Sequence, residues 1–301
     1  MSPRYEHLHP EARLLAALPG TERLAHLRVE HWIGYTRAHQ ALAQLEALFA
    51  HEPGKVRPQN LLIVGPTNNG KTMIAEKFRR AHPRRIADDG EREVIPVLMV
   101  QMPAEATVVR LYSAVLAALG APVGLHSRTD LREALVLRLL REVGVRLLVI
   151  DELHNLLGAT ARRQRELLNL LRFLGNEVRI PIVCLGIRDA WLALRSDDQL
   201  ENRFHPFLLP PWEEGEELAR LLASFETVLP LREPSHLASA PLRERILHHA
   251  EGTIGEIAML LTRAAAAALL KGAERIDSAA IESADYLSPS VRRRMIEREL
   301  R

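Results

Sequence analysis

An α/β fold with a mainly parallel, five-stranded sheet is predicted by three features of this 301-residue chain. Short apolar runs, Leu61-Leu62-Ile63-Val64 and Leu147-Leu148-Val149-Ile150 above all, read as strands buried on both faces. They alternate with longer stretches of helical periodicity, the order that lays helices over both sides of a parallel sheet. From Trp212 onward strand signals vanish, leaving a helical C-terminal portion.

The first run leads into Gly65-Pro66-Thr67-Asn68-Asn69-Gly70-Lys71-Thr72, a glycine-bounded loop that ends where a helical pattern starts. This is a P-loop in its required context. Gly65 and Gly70 let the backbone bend so that successive N–H groups face a polyphosphate. Lys71 reaches the β and γ oxygens, and the Thr72 hydroxyl ligates Mg²⁺. The second run ends in Asp151-Glu152. There Asp151 serves the Mg²⁺ shell and Glu152 polarises an attacking water, the Walker B arrangement. Two buried strands thus deliver their polar ends to one sheet edge, and the pair of motifs predicts ATP or GTP binding.

The other elements follow in order. Residues 1–52 carry helical periodicity, broken near Pro19-Gly20 and resuming at Thr21-Glu22-Arg23. Within them Trp32-Ile33-Gly34-Tyr35 is an aromatic cluster that either joins a core or closes over a base. Ile95–Gln101 is expected to form a strand, followed by helices near 107–119 and 129–142, the second capped by Thr129. After the acidic pair come a helix over 161–177, a strand over Ile180–Gly186, a short helix from Arg188 and a fifth strand entered near Pro206. Helices at 213–229, 241–251, 254–270 and 278–284 complete the chain. The expected division is 1–52, an N-terminal helical extension; 53–210, the nucleotide-binding α/β domain; and 211–301, a helical lid with a basic tail.

Composition narrows the function classes. With 47% hydrophobic residues the chain can build a sizeable core. No apolar run reaches the roughly 20 residues of a membrane helix, and the first residues lack the basic-then-apolar order of a secretion signal. No membrane association and a cytoplasmic location are therefore expected. Cys184, the single cysteine, excludes an internal disulfide and a cysteine-built zinc site, and its apolar setting reads as core. The net charge of +2 does not argue for nucleic acid by itself. The arginine clusters at 79–85, 162–165 and 292–294 are either solvated helix faces or contact surfaces.

Beyond the two motifs, several phrases carry a family likeness. They are Trp32-Ile33-Gly34-Tyr35, the Thr-Asn-Asn centre of the P-loop, Ile150-Asp151-Glu152-Leu153-His154-Asn155 and Leu174-Gly175-Asn176-Glu177. Further on stand Gln199-Leu200-Glu201-Asn202-Arg203-Phe204, Leu229-Pro230-Leu231-Arg232 and Glu251-Gly252-Thr253-Ile254-Gly255-Glu256-Ile257. Together they resemble the AAA+ ATPases and, within them, the TniB family of Tn5053/Tn402-type transposons, related to TnsC and more distantly to MuB.

The resemblance covers nearly the whole chain. It implies ATP with Mg²⁺ as the nucleotide complex, held between subunits of a homo-oligomer or helical filament on double-stranded DNA. Recruitment of a DDE transposase and of a TniQ-type target selector follows from it, with hydrolysis remodelling the assembly. It also implies that Arg203 is an arginine finger completing a neighbour's site. Trp32, Ile33 and Tyr35 would line the base. Sequence-independent phosphate contacts would come from the segments bearing Arg110 and Arg162, Arg163 and Arg165. Two AAA+ features are not matched: the fourth strand ends in Leu185-Gly186 where a polar sensor is usual, and the lid has Gly255 where an arginine often stands, with Arg263 a weak substitute. Slow hydrolysis is the expected consequence. A helicase loader or protein remodeller and a nucleotide-controlled signalling switch remain as alternatives, distinguished by whether the chain assembles on bare DNA.

Overall fold

The computed structural model describes residues 5–50, 58–88, 90, 92–122 and 128–300. The domain boundary expected between residues 52 and 53 lies outside them. Helices α1 (Pro10–Ala16), α2 (Gly20–His26) and α3 (Thr36–Phe49) precede strand β1 (Asn60–Val64) and α4 (Lys71–Ala81). A hairpin of β2 (Arg85–Ile86) and β3 (Glu93–Val94) is followed by β4 (Val97–Gln101), α5 (Val108–Ala118), α6 (Thr129–Glu142) and β5 (Leu147–Asp151). A 3-10 turn, Leu153–Gly158, leads to α7 (Ala161–Val178), β6 (Ile182–Gly186), α8 (Arg188–Arg195), α9 (Asp198–Glu201) and β7 (Phe204–Leu208). The remaining elements are α10 (Glu216–Val228), α11 (Ala240–Ala250), α12 (Ile254–Lys271), α13 (Ser278–Glu282) and α14 (Pro289–Glu299).

The described residues form two compact units. One holds those of His39–Thr67 and Lys71–Pro210. Its five-stranded sheet has the order β4-β5-β6-β1-β7, and every pairing is parallel. The strands β1, β5 and β6 are buried at every position, as their wholly apolar runs require in a sheet covered on both faces. Cys184 is buried in β6, and burial drives its thiol well above the usual range, so it behaves as a small core residue.

Several expected boundaries move, each for a local reason. β4 begins at Val97 and β6 at Ile182, after Pro96 and Pro181, which have no N–H to give the ladder. Their carbonyls still accept, Pro96 from Arg146 and Leu147 and Pro181 from Leu148. β7 starts at Phe204, ahead of the expected Pro206, because the Asn60 N–H bonds the Arg203 carbonyl at 2.9 Å and opens the pairing there. Pro206 is tolerated because β7 is an edge strand. Thr129 is the first residue of α6 and not its cap; Arg128 holds that place without a side-chain capping bond, its guanidinium bonding Asp130 instead. Thr107 and Thr160, by contrast, cap α5 and α7 with their side chains.

The second unit holds the residues up to Ala38, the loop tip Asn68–Gly70 and the residues from Pro211 on. Its core joins Leu27 and Ile33 to the apolar faces of α10, α11, α12 and α13. Arg23 on α2 is buried there, its guanidinium bonded to the Glu274 carboxylate at 2.6 and 2.7 Å and to the Pro230 carbonyl at 2.8 Å. The bond from Arg23 holds the Glu274 carboxyl below its ordinary range. The arginine-rich tail from Val291 is the helix α14, which buries none of its residues. Among the described residues no single helix is long and apolar enough to cross a membrane; α11 and α12 pass that test only as a pair, bent by 115° at their break.

Candidate nucleotide site

β1 and β5 run parallel with β6 between them, so Gly65 and Asp151 emerge at the same sheet edge. Thr72, in the first turn of α4, donates its hydroxyl to the Asp151 carboxylate at 2.6 Å. The other carboxylate oxygen accepts the Glu152 N–H at 2.7 Å. Asp151 itself is buried, and its main-chain carbonyl accepts from Met102 at the end of β4. This pair of hard oxygen donors suits Mg²⁺, which takes one or two protein oxygens and fills its shell from phosphates and water. Among the described residues no group of three or more His, Cys, Asp or Glu side chains is placed to hold a metal ion.

Lys71 is buried and bends back over the loop, its ammonium donating to the carbonyls of Gly65 at 2.9 Å and Pro66 at 2.6 Å. Burial lowers its pKa, while Asp151 and Glu152 act in the opposite direction. An added phosphate charge would reinforce the second effect. Gly65 is required sterically: a Cβ there would lie 2.6 Å from the Leu209 carbonyl, a backbone atom that cannot step aside. Gly65→Ala is therefore expected to destabilise the chain by about 2 kcal/mol, as overpacking against a rigid neighbour does, read as a lower midpoint in urea at unchanged slope. Gly70 is required by conformation, with φ of +82°.

Glu152 stands in the left-handed region, φ 55° and ψ 38°, where the chain leaves β5 and enters the 3-10 turn. That conformation costs a non-glycine residue about 1 kcal/mol. The Asp151 bond to its N–H and the following turn hold it there. Its carboxylate lies 3.2 Å from His154 Nε2.

Within the helical unit, the loop tip meets the start of α12. The Asn68 carbonyl accepts the Gly255 N–H at 3.0 Å, and Asn69 Oδ1 accepts the Ile254 N–H at 3.3 Å. A Cβ on Gly255 would fall inside the Asn68 side-chain amide, so any larger residue there, such as the arginine that many AAA+ lids carry at this place, requires the Asn68 side chain to turn away. Arg263 does not replace it: its guanidinium is engaged by the Asp285 carbonyl and carboxylate. Gly186, where a polar sensor is usual, is closed, because a Cβ there would lie 2.5 Å from that of Ala190 on α8.

The aromatic segment divides. Ile33 is buried in the helical core. Tyr35 packs edge-on against Trp212 with centroids 5.0 Å apart, and its hydroxyl lies 3.5 Å from where a Gly70 Cβ would be. Burial pushes the Tyr35 pKa up to about 12. Trp32 is half-buried. Trp212 was not among the residues that the sequence singles out. Its N–H bonds the Gly252 carbonyl at 2.7 Å, a contact that no local pattern announces.

Arg203 bonds Asn176 Oδ1 at 2.8 Å, just before β7. It sits beside the first residue of β1, whereas the P-loop leaves from the other end of that strand. At about 3.3 Å per residue the two are separated by on the order of 15 Å. Arg110 and Arg163, from α5 and α7, meet at one residue, Glu105, at 2.7 and 3.8 Å. Arg162 pairs with Glu166 one turn along α7, and Arg165 donates to the Ala161 carbonyl.

A P-loop and an acidic strand end on two strands separated by one other, in a parallel sheet, define a nucleotide-binding protein of the P-loop class. Solved structures agree. The Aeropyrum pernix ORC2 protein in its ADPNP-ADP complexes matches with a TM-score of 0.60 and 17% identity over 87% of this chain and 72% of that one. The Aeropyrum pernix ORC1 protein in complex with DNA matches with a TM-score of 0.57 and 20% identity over 87% of this chain; the match spans 65% of that protein, just under two thirds of its length. The Walker-type ATPase paby2304 of Pyrococcus abyssi gives a TM-score of 0.56 and 15% identity over 89% of this chain and 75% of that one. A search of curated proteins found no match. The family model of the bacterial TniB protein matches residues 23–214, and the chain belongs to the TniB family.

Proposed function

We propose that this ATPase assembles on target duplex DNA in its ATP-bound state, recruits a DDE transposase and a TniQ-type target selector, and uses hydrolysis to remodel or release the assembly. The observation that carries this reading is the position of Arg203. In one chain it stands far from its own P-loop, a placement that leaves it free to complete the site of a neighbouring copy, and on this reading hydrolysis depends on assembly. The proposed division of labour gives residues 53–210 to the nucleotide, 211–301 to a lid and 1–52 to an extension whose Tyr35 and Trp32 face the base, while Ile33 packs in the helical core.

Within the site, the N–H groups of Gly65 to Thr72 and the Lys71 ammonium hold the phosphates. Thr72 and Asp151 hold Mg²⁺, which when bound neutralises charge on the β and γ oxygens. Glu152 orients a water and takes its proton, kept in place by its own backbone turn and by His154. Arg110 and Arg163, brought together at Glu105 on the helix starts that follow β4 and β5, face the DNA backbone, with Arg162 and Arg165 beside them. Such contacts read no base sequence, and binding should weaken steeply with salt. The DNA complex known for the ORC1 protein of this fold supports that use. On this reading the protein works in the bacterial cytoplasm, on nucleoid DNA.

Electron microscopy of the protein on long duplex DNA, with a slowly hydrolysed ATP analogue, with ADP and without nucleotide, tests the proposal. Regular filaments or rings with the analogue alone are expected. Bare DNA throughout would favour the second reading, a helicase loader or protein remodeller. In parallel, Arg203→Ala is expected to cut the turnover of the assembled form by roughly a thousandfold while leaving the basal rate of the dilute monomer unchanged. An equal loss in the monomer would remove Arg203 from the finger role.

A further inference from the structure

Glu256 is a buried carboxylate beside the P-loop that the proposed reaction does not use. It lies in the first turn of α12 with only 8% of its surface exposed. Its Oε1 accepts from Arg292 Nη2 at 2.6 Å and from the Asn68 side-chain amide at 3.4 Å, and its Oε2 accepts from the Tyr286 hydroxyl at 2.8 Å. Asn68 is at the loop tip in the left-handed region, φ 60°, fixed by the Gly255 N–H on its carbonyl. A negative charge is thereby placed one side chain away from the loop that receives a polyanion. Among the described residues, the cation paired with it is on α14, at the far end of the chain.

The attachment of α14 is slight. The helix buries none of its residues and exposes Met295 and Ile296, as does the following Leu300. Its first turn is held by polar contacts: Arg292 to Glu256, and the Ser290 N–H to the Glu251 carboxylate at 2.9 Å. The bond to Glu256 raises the pKa of Arg292, and Tyr286 is driven upward by burial and then by the bond that it donates to Glu256. Of the apolar residues of α14 only Pro289 and Val291 are half-buried, and none is fully buried. A helix of this kind can leave its seat without opening a core.

We propose that Arg292 is a positioning residue that neutralises Glu256 beside the phosphate loop, so that seating of the C-terminal helix sets the affinity of the loop for a triphosphate. The inference rests on the reading of residues 65–72 as the ATP site. When α14 is seated, Glu256 is balanced and its Oε1 orients the Asn68 amide. When α14 leaves, an uncompensated carboxylate faces the incoming phosphates, and like charges at this range in a partly buried setting repel appreciably. Triphosphate, with more charge, suffers more than diphosphate. A partner that captures α14 would thus loosen ATP without touching the site.

The test is a fluorescence titration of the full chain with a fluorescent ATP analogue and with its ADP counterpart, at low and high salt, with Lys71→Ala as the reference for lost phosphate binding. Arg292→Ala is expected to bind the ATP analogue about tenfold more weakly, the ADP analogue less affected, and the defect to shrink in high salt. Adding Glu256→Gln to Arg292→Ala should recover most of the loss, since the offending charge is then gone. Arg292→Gln, which keeps a hydrogen-bond donor, should behave like Arg292→Ala and serves if the alanine variant fails to fold. Unchanged affinity in Arg292→Ala or Arg292→Gln, or a defect that Glu256→Gln does not relieve, would overturn the inference while wild-type binding and its loss in Lys71→Ala upheld the site. A wild-type chain that binds neither analogue would overturn the ATP reading, and the inference with it.

Discussion

Lys71→Ala is expected to lower ATP affinity by roughly a hundredfold, about 3 kcal/mol, and with it to abolish nucleotide-dependent assembly on DNA. The ammonium is already buried and gathered over the loop by the Gly65 and Pro66 carbonyls, so its position is prepared before any ligand arrives. Alanine removes both the charge-assisted bonds to the phosphates and the balance to Asp151 and Glu152, whose charges act on Lys71. Two carboxylates would then stand beside the incoming polyanion without a compensating cation from the loop. Calorimetric titration with ATP and Mg²⁺ measures the first effect, and electron microscopy with the ATP analogue the second. Normal assembly in this variant would end the phosphate role of Lys71. The fold should survive, because the strand and helix that carry the loop are held by β1 pairing and by the buried face of α4.

Glu152→Gln is expected to leave ATP binding close to that of the parent while slowing hydrolysis by about a hundredfold to a thousandfold, so that the assembled state persists. Glutamine has the size of glutamate, can adopt the same left-handed backbone, and retains an oxygen for the contact with His154. What it loses is the capacity to take a proton. Asp151 keeps its bonds to Thr72 and to the backbone of residue 152, so the Mg²⁺ ligands stay in place. Single-turnover phosphate release separates the chemical step from binding, and unchanged release would take Glu152 out of the catalytic role. The two variants thus part binding from chemistry: the first fails to assemble, the second fails to come apart.

Much of this site is legible in the order of residues, because a P-loop and a Walker B strand are contiguous stretches whose chemistry follows from residue type and spacing. Gly65, Lys71 and Thr72 stand within eight residues, and Asp151-Glu152 directly ends an apolar run, so the strand order had only to bring two known ends together. The parallel sheet is legible for the same reason, since strands buried on both faces leave little choice but a cover of helices. The edges of elements are less so. Pro96 and Pro181 shorten strands by withholding an N–H, an effect that apolar pattern does not register, and the β2 and β3 hairpin is two residues per strand with no pattern of its own.

The two poorly matched sensor positions turn on tertiary contacts. In the chain, Gly186 and Gly255 are departures from a pattern; in space Gly186 is closed by the Ala190 Cβ, and Gly255 lies against the Asn68 side chain, which would have to turn away for a larger residue. The meeting of Arg110 and Arg163 at Glu105 joins two segments that the chain separates by about fifty positions. Register places Arg203 at the end of β1 opposite its own loop, a relation that the sequence does not contain.

Nucleotide chemistry and the class of fold are thus written in the chain itself, since both depend on local order and on which runs are wholly apolar. It took the folded packing to set Tyr35 against Trp212, and to bring Arg292 from the last helix to a carboxylate beside Asn68. Those pairs are brought together by helix packing between residues distant in the chain, and the energy of such contacts depends on a geometry that composition and spacing do not contain.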